Sequence, residues 1–292
     1  MTDPFNRFPG QSYPLGANPS FADLVRAASS PTAPGSSGAD ATGPLAQSAV
    51  HGTTVLAIKF ADGAVMAGDR RATEGFTIAD ERIEKVFSAD ETSAVAIAGA
   101  AGQATEIVRL FQTELEHYEK VEGDRLSLEG KANRLAQMIR GNFPMALQGL
   151  VVVPLFAGYD ERRGEGRIFR YDATGGRWEE ADYHSTGSGS LHARGTLKKR
   201  WRAGMTRDAA IRAAVEALYD ASQEDVATGG PNVVRGIFPS VKTITADGVN
   251  SVGDDEVRAA FEAILGEYGE ARKETGGSQA REGEEHTAEG AP

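Results

Sequence analysis

Few residues in this chain are suited to covalent chemistry, and the most suggestive stand at a boundary. His51-Gly52-Thr53-Thr54-Val55 lies where a stretch rich in Ser, Pro, Gly and Ala gives way to a β-branched run. A cut after Gly52 would give Thr53 a free α-amine beside its own hydroxyl. Such an amine titrates near about pH 8. Around neutrality it can therefore take the hydroxyl proton, directly or through a water, and leave a nucleophile. A preceding glycine suits a tight turn in which the hydroxyl attacks its own carbonyl. The plain alternative is a β-branched residue opening a strand.

Other segments could serve the same chemistry. Gly68-Asp69-Arg70-Arg71-Ala72-Thr73 sets charges at the end of an apolar strand, and Lys85 interrupts another β run. A lysine in a strand pattern can simply face solvent. Turned inward it needs a carboxylate, and Asp69 is the natural one. A cation there would favour a neutral amine and a developing alkoxide at Thr53. Ala98-Gly99-Ala100-Ala101-Gly102 is either a glycine-rich helix entry or a turn that brings a backbone N–H to an oxyanion. The run from Ser185 to Ser190 is a helix-capping turn or part of a hydrogen-bonding network. The segment from Asp225 to Gly230 is a helix exit that could also supply an acid and a hydroxyl.

Composition removes many competitors. The chain has no cysteine, so disulfides, thiol catalysis and Cys-ligated metals are excluded. Its histidines (51, 117, 184, 192 and 286) are scattered, and no P-loop, Gly-x-Ser-x-Gly or His-Glu-x-x-His signature occurs. No metal or cofactor is expected. The net charge of −11 argues against nucleic acid as a partner. No apolar run is long enough to span a bilayer, and the first residues lack a secretory pattern. A soluble, cytoplasmic protein is expected.

The elements that must position these residues are regular between about residues 53 and 265. Thr53–Phe60 and Ala64–Gly68 read as a hairpin around Asp62-Gly63. Ile83–Phe87 and Ser93–Gly99 are further strands, followed by helices over Gly102–Glu119 and Ser127–Gln148, the second interrupted by Pro144. Strands resume at Gly149–Tyr159, Gly166–Tyr171 and Arg177–Ser185, with Pro154 marking an edge or bulge. Helices Ser190–Arg202 and Thr206–Asp220, strand Val241–Ala246 and helix Asp254–Leu265 complete the order. Such blocks of strands and helix pairs imply an α+β fold, two antiparallel sheets face to face with helices outside. By composition residues 1–52 read as a disordered leader in which Phe21–Ala28 could form one short helix after Ser20, and 266–292 as an acidic Gly/Glu-rich flexible tail.

Taken together, Gly-Thr-Thr-Val, Gly-Asp-Arg-Arg-Ala-Thr, Lys-Val-Phe, Ala-Gly-Ala-Ala-Gly, Gly-Ser-Gly-Ser and Asp-x-x-Thr-Gly-Gly, in this order from Thr53 to Leu265, resemble proteasome β subunits. These are N-terminal nucleophile hydrolases, with a four-layer αββα sandwich. The leader and acidic tail look most like the actinobacterial type. By resemblance Thr53 is the nucleophile of a threonine-type endopeptidase, freed by autocatalytic cleavage between Gly52 and Thr53, so that 1–52 is a propeptide. Lys85 tunes the site, Asp69 pairs with Lys85, and Arg71 supports the architecture. Gly99 supplies the oxyanion N–H, while Ser188, Asp225 and Thr228 bond around the amine. The family most often has serine where Thr228 stands.

The same mapping makes Thr73, Ala72, Ile83, Ile97, Ala101 and Thr105 the substrate-binding residues. The resulting largely apolar pocket implies a chymotrypsin-like preference. The resemblance also implies β rings of seven stacked between α rings (α7β7β7α7), an ATPase ring and tagged protein substrates. An HslV-type peptidase, an inactive β-type scaffold and an unrelated N-terminal nucleophile amidase are the alternatives.

Overall fold

A computed structural model of the chain describes residues 52–74 and 77–285. The helix expected over Phe21–Ala28, nearly all of the expected leader and the end of the tail lie outside the described residues. Strands β1 (Thr54–Phe60) and β2 (Gly63–Gly68) form the expected hairpin. A short ribbon, β3 (Ala72–Glu74) with β4 (Thr77–Asp80), follows where the sequence reading has no element. Next come β5 (Val86–Ser88), β6 (Ser93–Gly99), helices α1 (Ala101–Glu122) and α2 (Leu128–Gly141), and the single turn α3 (Phe143–Ala146). Strands β7 (Val152–Asp160), β8 (Glu165–Tyr171), β9 (Arg177–Glu180) and β10 (Tyr183–Gly187) lead to α4 (Ser190–Arg200) and α5 (Arg207–Glu224). The chain continues through β11 (Ser240–Thr245) and β12 (Gly248–Ser251) into α6 (Asp254–Glu285).

One antiparallel sheet has the order β10-β1-β2-β11-β12 and the other β5-β6-β7-β8-β9. They stack face to face. Helices α1 and α2 cover the second sheet through Phe111, Leu115, Leu135 and Ile139, and α4, α5 and α6 cover the first through Leu197, Leu218 and Phe261. This is the expected α+β sandwich of four layers. Strand β1 is buried on both faces, Val55 and Ala57 towards the other sheet and Leu56 and Ile58 towards the helices. That explains its unbroken apolar run, where a one-sided sheet would show alternation.

Alanines 57, 64, 94, 96 and 157 fill much of the space between the sheets. The two backbones approach closely as a result, and a Cβ on Gly166 would lie 2.3 Å from the carbonyl carbon of Gly63.

Four sequence expectations change. Arg177–Ser185 is not one strand: the chain bends at Ala181–Asp182, leaving β9 on one sheet and carrying β10 to the other, beside β1. Strand β7, which holds Pro154, is central and not an edge. Proline is accommodated because β8 pairs with β7 only from Leu155 onward, so Pro154 has β6 alone as neighbour. Pro144 sits in the first turn of α3, where its missing N–H costs nothing, and the break falls at Asn142. Helix α6 continues past Leu265, and the Tyr268 hydroxyl lies 3.0 Å from both Glu216 and Asp220 of α5.

Buried Arg167 on β8 fastens the far end of the second sheet, donating to Asp160, Glu129 and Glu179 at 2.5–2.8 Å. Burial pushes the Asp160 and Glu129 carboxyls up, but the arginine hydrogen bonds outweigh it and hold both below their ordinary range. Glu179 is lowered chiefly by its Arg167 bonds. Depressed folded values contribute stability that is full above the ordinary carboxylate range and is lost as pH falls through them. Arg167→Ala should therefore cost about 3 kcal/mol near neutrality, the low end for a broken buried pair because Glu129 is half exposed. Thermal unfolding in matched assembly states would read this as a lowered midpoint, with the gap to wild type narrowing below about pH 4.

Candidate active site

The start of β1 is where both sheets and two helix ends meet. Register places Gly68 opposite Val55, so Asp69 comes directly beside Thr54. The Asp69 N–H donates to the Thr54 carbonyl at 3.0 Å, and the Thr54 N–H donates back to Asp69 Oδ1 at 2.8 Å. Lys85 enters from the other sheet, just before β5, its carbonyl held by the Ile97 N–H at 3.0 Å. Glycine at position 68 lets that strand pass: a Cβ there would already lie 3.0 Å from both Val55 and Val86.

Lys85 faces inward and is 4% exposed. Its ammonium donates to Asp69 Oδ1 at 2.7 Å, to the Arg71 carbonyl at 2.6 Å and to the Gly52 carbonyl at 3.2 Å. Burial drives its pKa down, and the adjacent Asp69 charge opposes this without cancelling it. Asp69 is fully buried; its second oxygen accepts the N–H groups of Arg71 and Gly229, each at 2.9 Å. Two donors on each oxygen complete the carboxylate. The Arg71 guanidinium donates to the Val226 carbonyl at 2.9 Å, tying this pair to the loop after α5.

Strand β10 brings Ser188 to the opposite side of Thr53. The Ser188 N–H donates to the Thr53 carbonyl at 2.8 Å, and the Thr53 N–H reaches Ser188 Oγ at 3.4 Å. The turn before it requires glycine: Gly187 has φ +103°, and a Cβ would lie 1.9 Å from the Thr53 carbonyl oxygen. Asp225, at the end of α5, accepts from Ser188 Oγ at 2.5 Å and from Thr228 Oγ1 at 2.6 Å. Burial pushes the Asp225 carboxyl up, but these bonds, the Ala227 N–H and nearby His192 hold it below its ordinary range.

The residues named from the sequence thus converge on Thr53, whose side chain opens on a narrow cleft. Ala72, Ile83, Ile97, Gly99, Ala101 and Thr105 line that cleft together with Thr53 and Lys85. Gly99 has φ +113°, and a Cβ there would collide with the Val151 carbonyl at 2.0 Å. Thr73 does not line the cleft. Its hydroxyl accepts the Gly52 N–H at 3.3 Å and so fixes the residue before Thr53.

Sequence reasoning missed Glu84 and Ala104, both on the cleft wall, and Ala227. A Cβ on Gly52 would lie 1.8 Å from Ala227 Cβ, so close packing, beyond turn geometry, demands glycine before Thr53. Neighbouring strand residues point to opposite faces, so an inward Lys85 gives no signal for Glu84 on the same cleft, and the Gly52–Ala227 contact spans too much sequence to leave one.

Chemically the cleft offers a hydroxyl residue, a buried cation beside it, a carboxylate-backed serine at its main-chain nitrogen, and an apolar recess. The profile of the proteasome subunit family matches residues 49–237, more than half of the chain. Relatives named proteasome subunit beta include one from Acidimicrobium ferrooxidans, 55% identical over 88% of this chain and 92% of its own length. Another, from Frankia alni, is 52% identical over 91% and 97% respectively. The chain belongs to the proteasome subunit family, as a β-type member of the actinobacterial kind.

Proposed function

We propose that this chain is the catalytic β subunit of a 20S proteasome core, an endopeptidase whose nucleophile is Thr53 once residues 1–52 have been removed. The observation that carries this reading is the setting of the Gly52–Thr53 bond. Its carbonyl oxygen accepts from Lys85 at 3.2 Å while its nitrogen faces the Ser188–Asp225 pair. In maturation the Thr53 hydroxyl adds to the Gly52 carbonyl carbon, the C–N bond breaks, and the acyl group passes to oxygen. Water then hydrolyses the ester, giving a Gly52 carboxylate and a free Thr53 amine.

In turnover that amine takes the hydroxyl proton as oxygen attacks a substrate carbonyl, then delivers it to the departing amide nitrogen. The Lys85 charge favours the neutral amine and the alkoxide. The Gly99 N–H is the proposed donor to the oxyanion. Water finally releases the acyl group and restores Thr53. Assembly with α subunits into stacked rings of seven, fed by an ATPase ring with unfolded protein, in the cytoplasm, completes the proposal. Among the described residues no helix is long and apolar enough to cross a membrane.

Intact mass and N-terminal sequencing of the chain assembled with its α partner test the nucleophile. Wild type should begin Thr53-Thr54-Val55, and Thr53→Ala should stay uncut with peptide hydrolysis reduced by at least about a thousandfold. A wild-type chain still carrying Gly52 after full assembly would point instead to an inactive scaffold.

The apolar walls Ala72, Ile83, Ile97 and Ala101 support a preference for cleavage after hydrophobic residues, with Glu84 the one acidic side chain among the described residues that line the cleft. Reporter peptides ending in Leu or Tyr should show kcat/KM about tenfold or more above those ending in Arg or Glu, the scale of one well-filled apolar pocket. A basic preference would assign the recess to Glu84 and sink the hydrophobic reading.

A further inference from the structure

Thr54 follows the proposed nucleophile and takes no part in the steps above, yet its side chain is fully buried and polar. Its hydroxyl accepts the Gly189 N–H at 2.9 Å and meets Thr228 Oγ1 at 2.7 Å. The direction of the second bond follows from its neighbours. Asp225 is a carboxylate at neutral pH and only accepts, so Thr228 gives it its single proton, at 2.6 Å. The Thr54 hydroxyl must then donate to Thr228. Protons accordingly point one way, from the Gly189 N–H through Thr54 and Thr228 to Asp225.

Ser188 donates to the same Asp225 oxygen from the other side, at 2.5 Å, which orients its lone pairs towards the Thr53 nitrogen at 3.4 Å. At its other end the Thr54 N–H donates to Asp69 Oδ1, the oxygen that holds Lys85. Nothing can be wedged into this chain, because a Cβ on Gly189 would lie 2.5 Å from Thr54 Oγ1 and 2.7 Å from Thr228 Oγ1.

We infer that Thr54 is a positioning residue that locks the Lys85–Asp69 pair and the Ser188–Asp225–Thr228 group into one frame around the Thr53 amine. This rests on Thr53 as nucleophile. Without the Thr54 hydroxyl, Thr228 still donates to Asp225 but accepts no proton, so that bond loses its polarised partner and Asp225 holds the Ser188 oxygen less firmly.

Particles assembled with the α partner from wild type, Thr54→Val, Thr54→Ser, Thr228→Val, the Thr54→Val/Thr228→Val double variant and Thr53→Ala provide the test. Steady-state peptide hydrolysis and the time course of Gly52–Thr53 cleavage are the readouts. Valine at 54 should lower kcat about tenfold, the scale of one hydrogen bond in a charged network, and slow processing while KM stays within about twofold. Serine keeps the hydroxyl and should bring kcat back to within about threefold of wild type. The double variant should be little worse than Thr228→Val alone, since both act through one chain of bonds.

An unchanged kcat in the valine variant beside an inactive Thr53→Ala would overturn the role of Thr54 and leave the nucleophile intact. So would a serine variant as impaired as valine, since packing would then be the cause. An active Thr53→Ala would overturn both readings. Should the valine variant fail to assemble, Thr54→Ala against Thr54→Ser makes the same comparison.

Discussion

Lys85 and Asp69 form an ion pair almost closed to water, and the arrangement around Thr53 is built on it. Two charges removed from solvent are tolerated only when their remaining hydrogen-bonding capacity is met by fixed partners. Here that demand is met by backbone: the N–H groups of Thr54, Arg71 and Gly229 for the carboxylate, the carbonyls of Arg71 and Gly52 for the ammonium. Four segments distant in sequence, around Thr53, Asp69, Lys85 and Gly229, are thereby drawn to one point. The geometry around Thr53 and the satisfaction of the buried charges rest on the same set of contacts, so the site cannot relax without leaving a charge unpaired.

Glycines make such convergence possible at two places. Gly187 takes a backbone conformation closed to other residues and lets the chain meet the Thr53 carbonyl, while Gly52 lies flat against Ala227. Neither could carry a side chain without pushing Thr53, the proposed nucleophile, out of line. The hydroxyls of Thr54, Thr228 and Ser188 supply the remaining order, each with a single proton whose direction is dictated by the carboxylate at the end of the row.

Much of this was legible in the sequence. The hairpin around Asp62-Gly63 follows from turn chemistry, whereas the strand pattern leaves Lys85 free to face solvent; only an inward lysine demands a carboxylate, and Asp69 at the end of the preceding apolar strand is the natural one. The split between β9 and β10 left no mark, because Ala181 and Asp182 carry neither glycine nor proline and tertiary pairing with β1 decides the outcome. The ribbon β3–β4 and Glu84 on the cleft wall were missed for a related reason: which face a residue occupies shifts with a single step of register. Thr54 was hidden by its neighbour, since a β-branched residue opening a strand needs no further explanation until its hydroxyl is seen to have partners.

The alanines between the sheets carry a consequence for the chemistry. Asp69 hangs from the end of β2 in one sheet, and Lys85 leads into β5 of the other, so their ion pair bridges the gap that those small side chains set. The distance across that gap acts as a ruler for that ion pair. A single extra methylene at Ala94 or Ala96, neither of which lines the cleft, would lengthen the ruler. The geometry of the cleft is thus written partly into residues that possess almost no chemistry of their own.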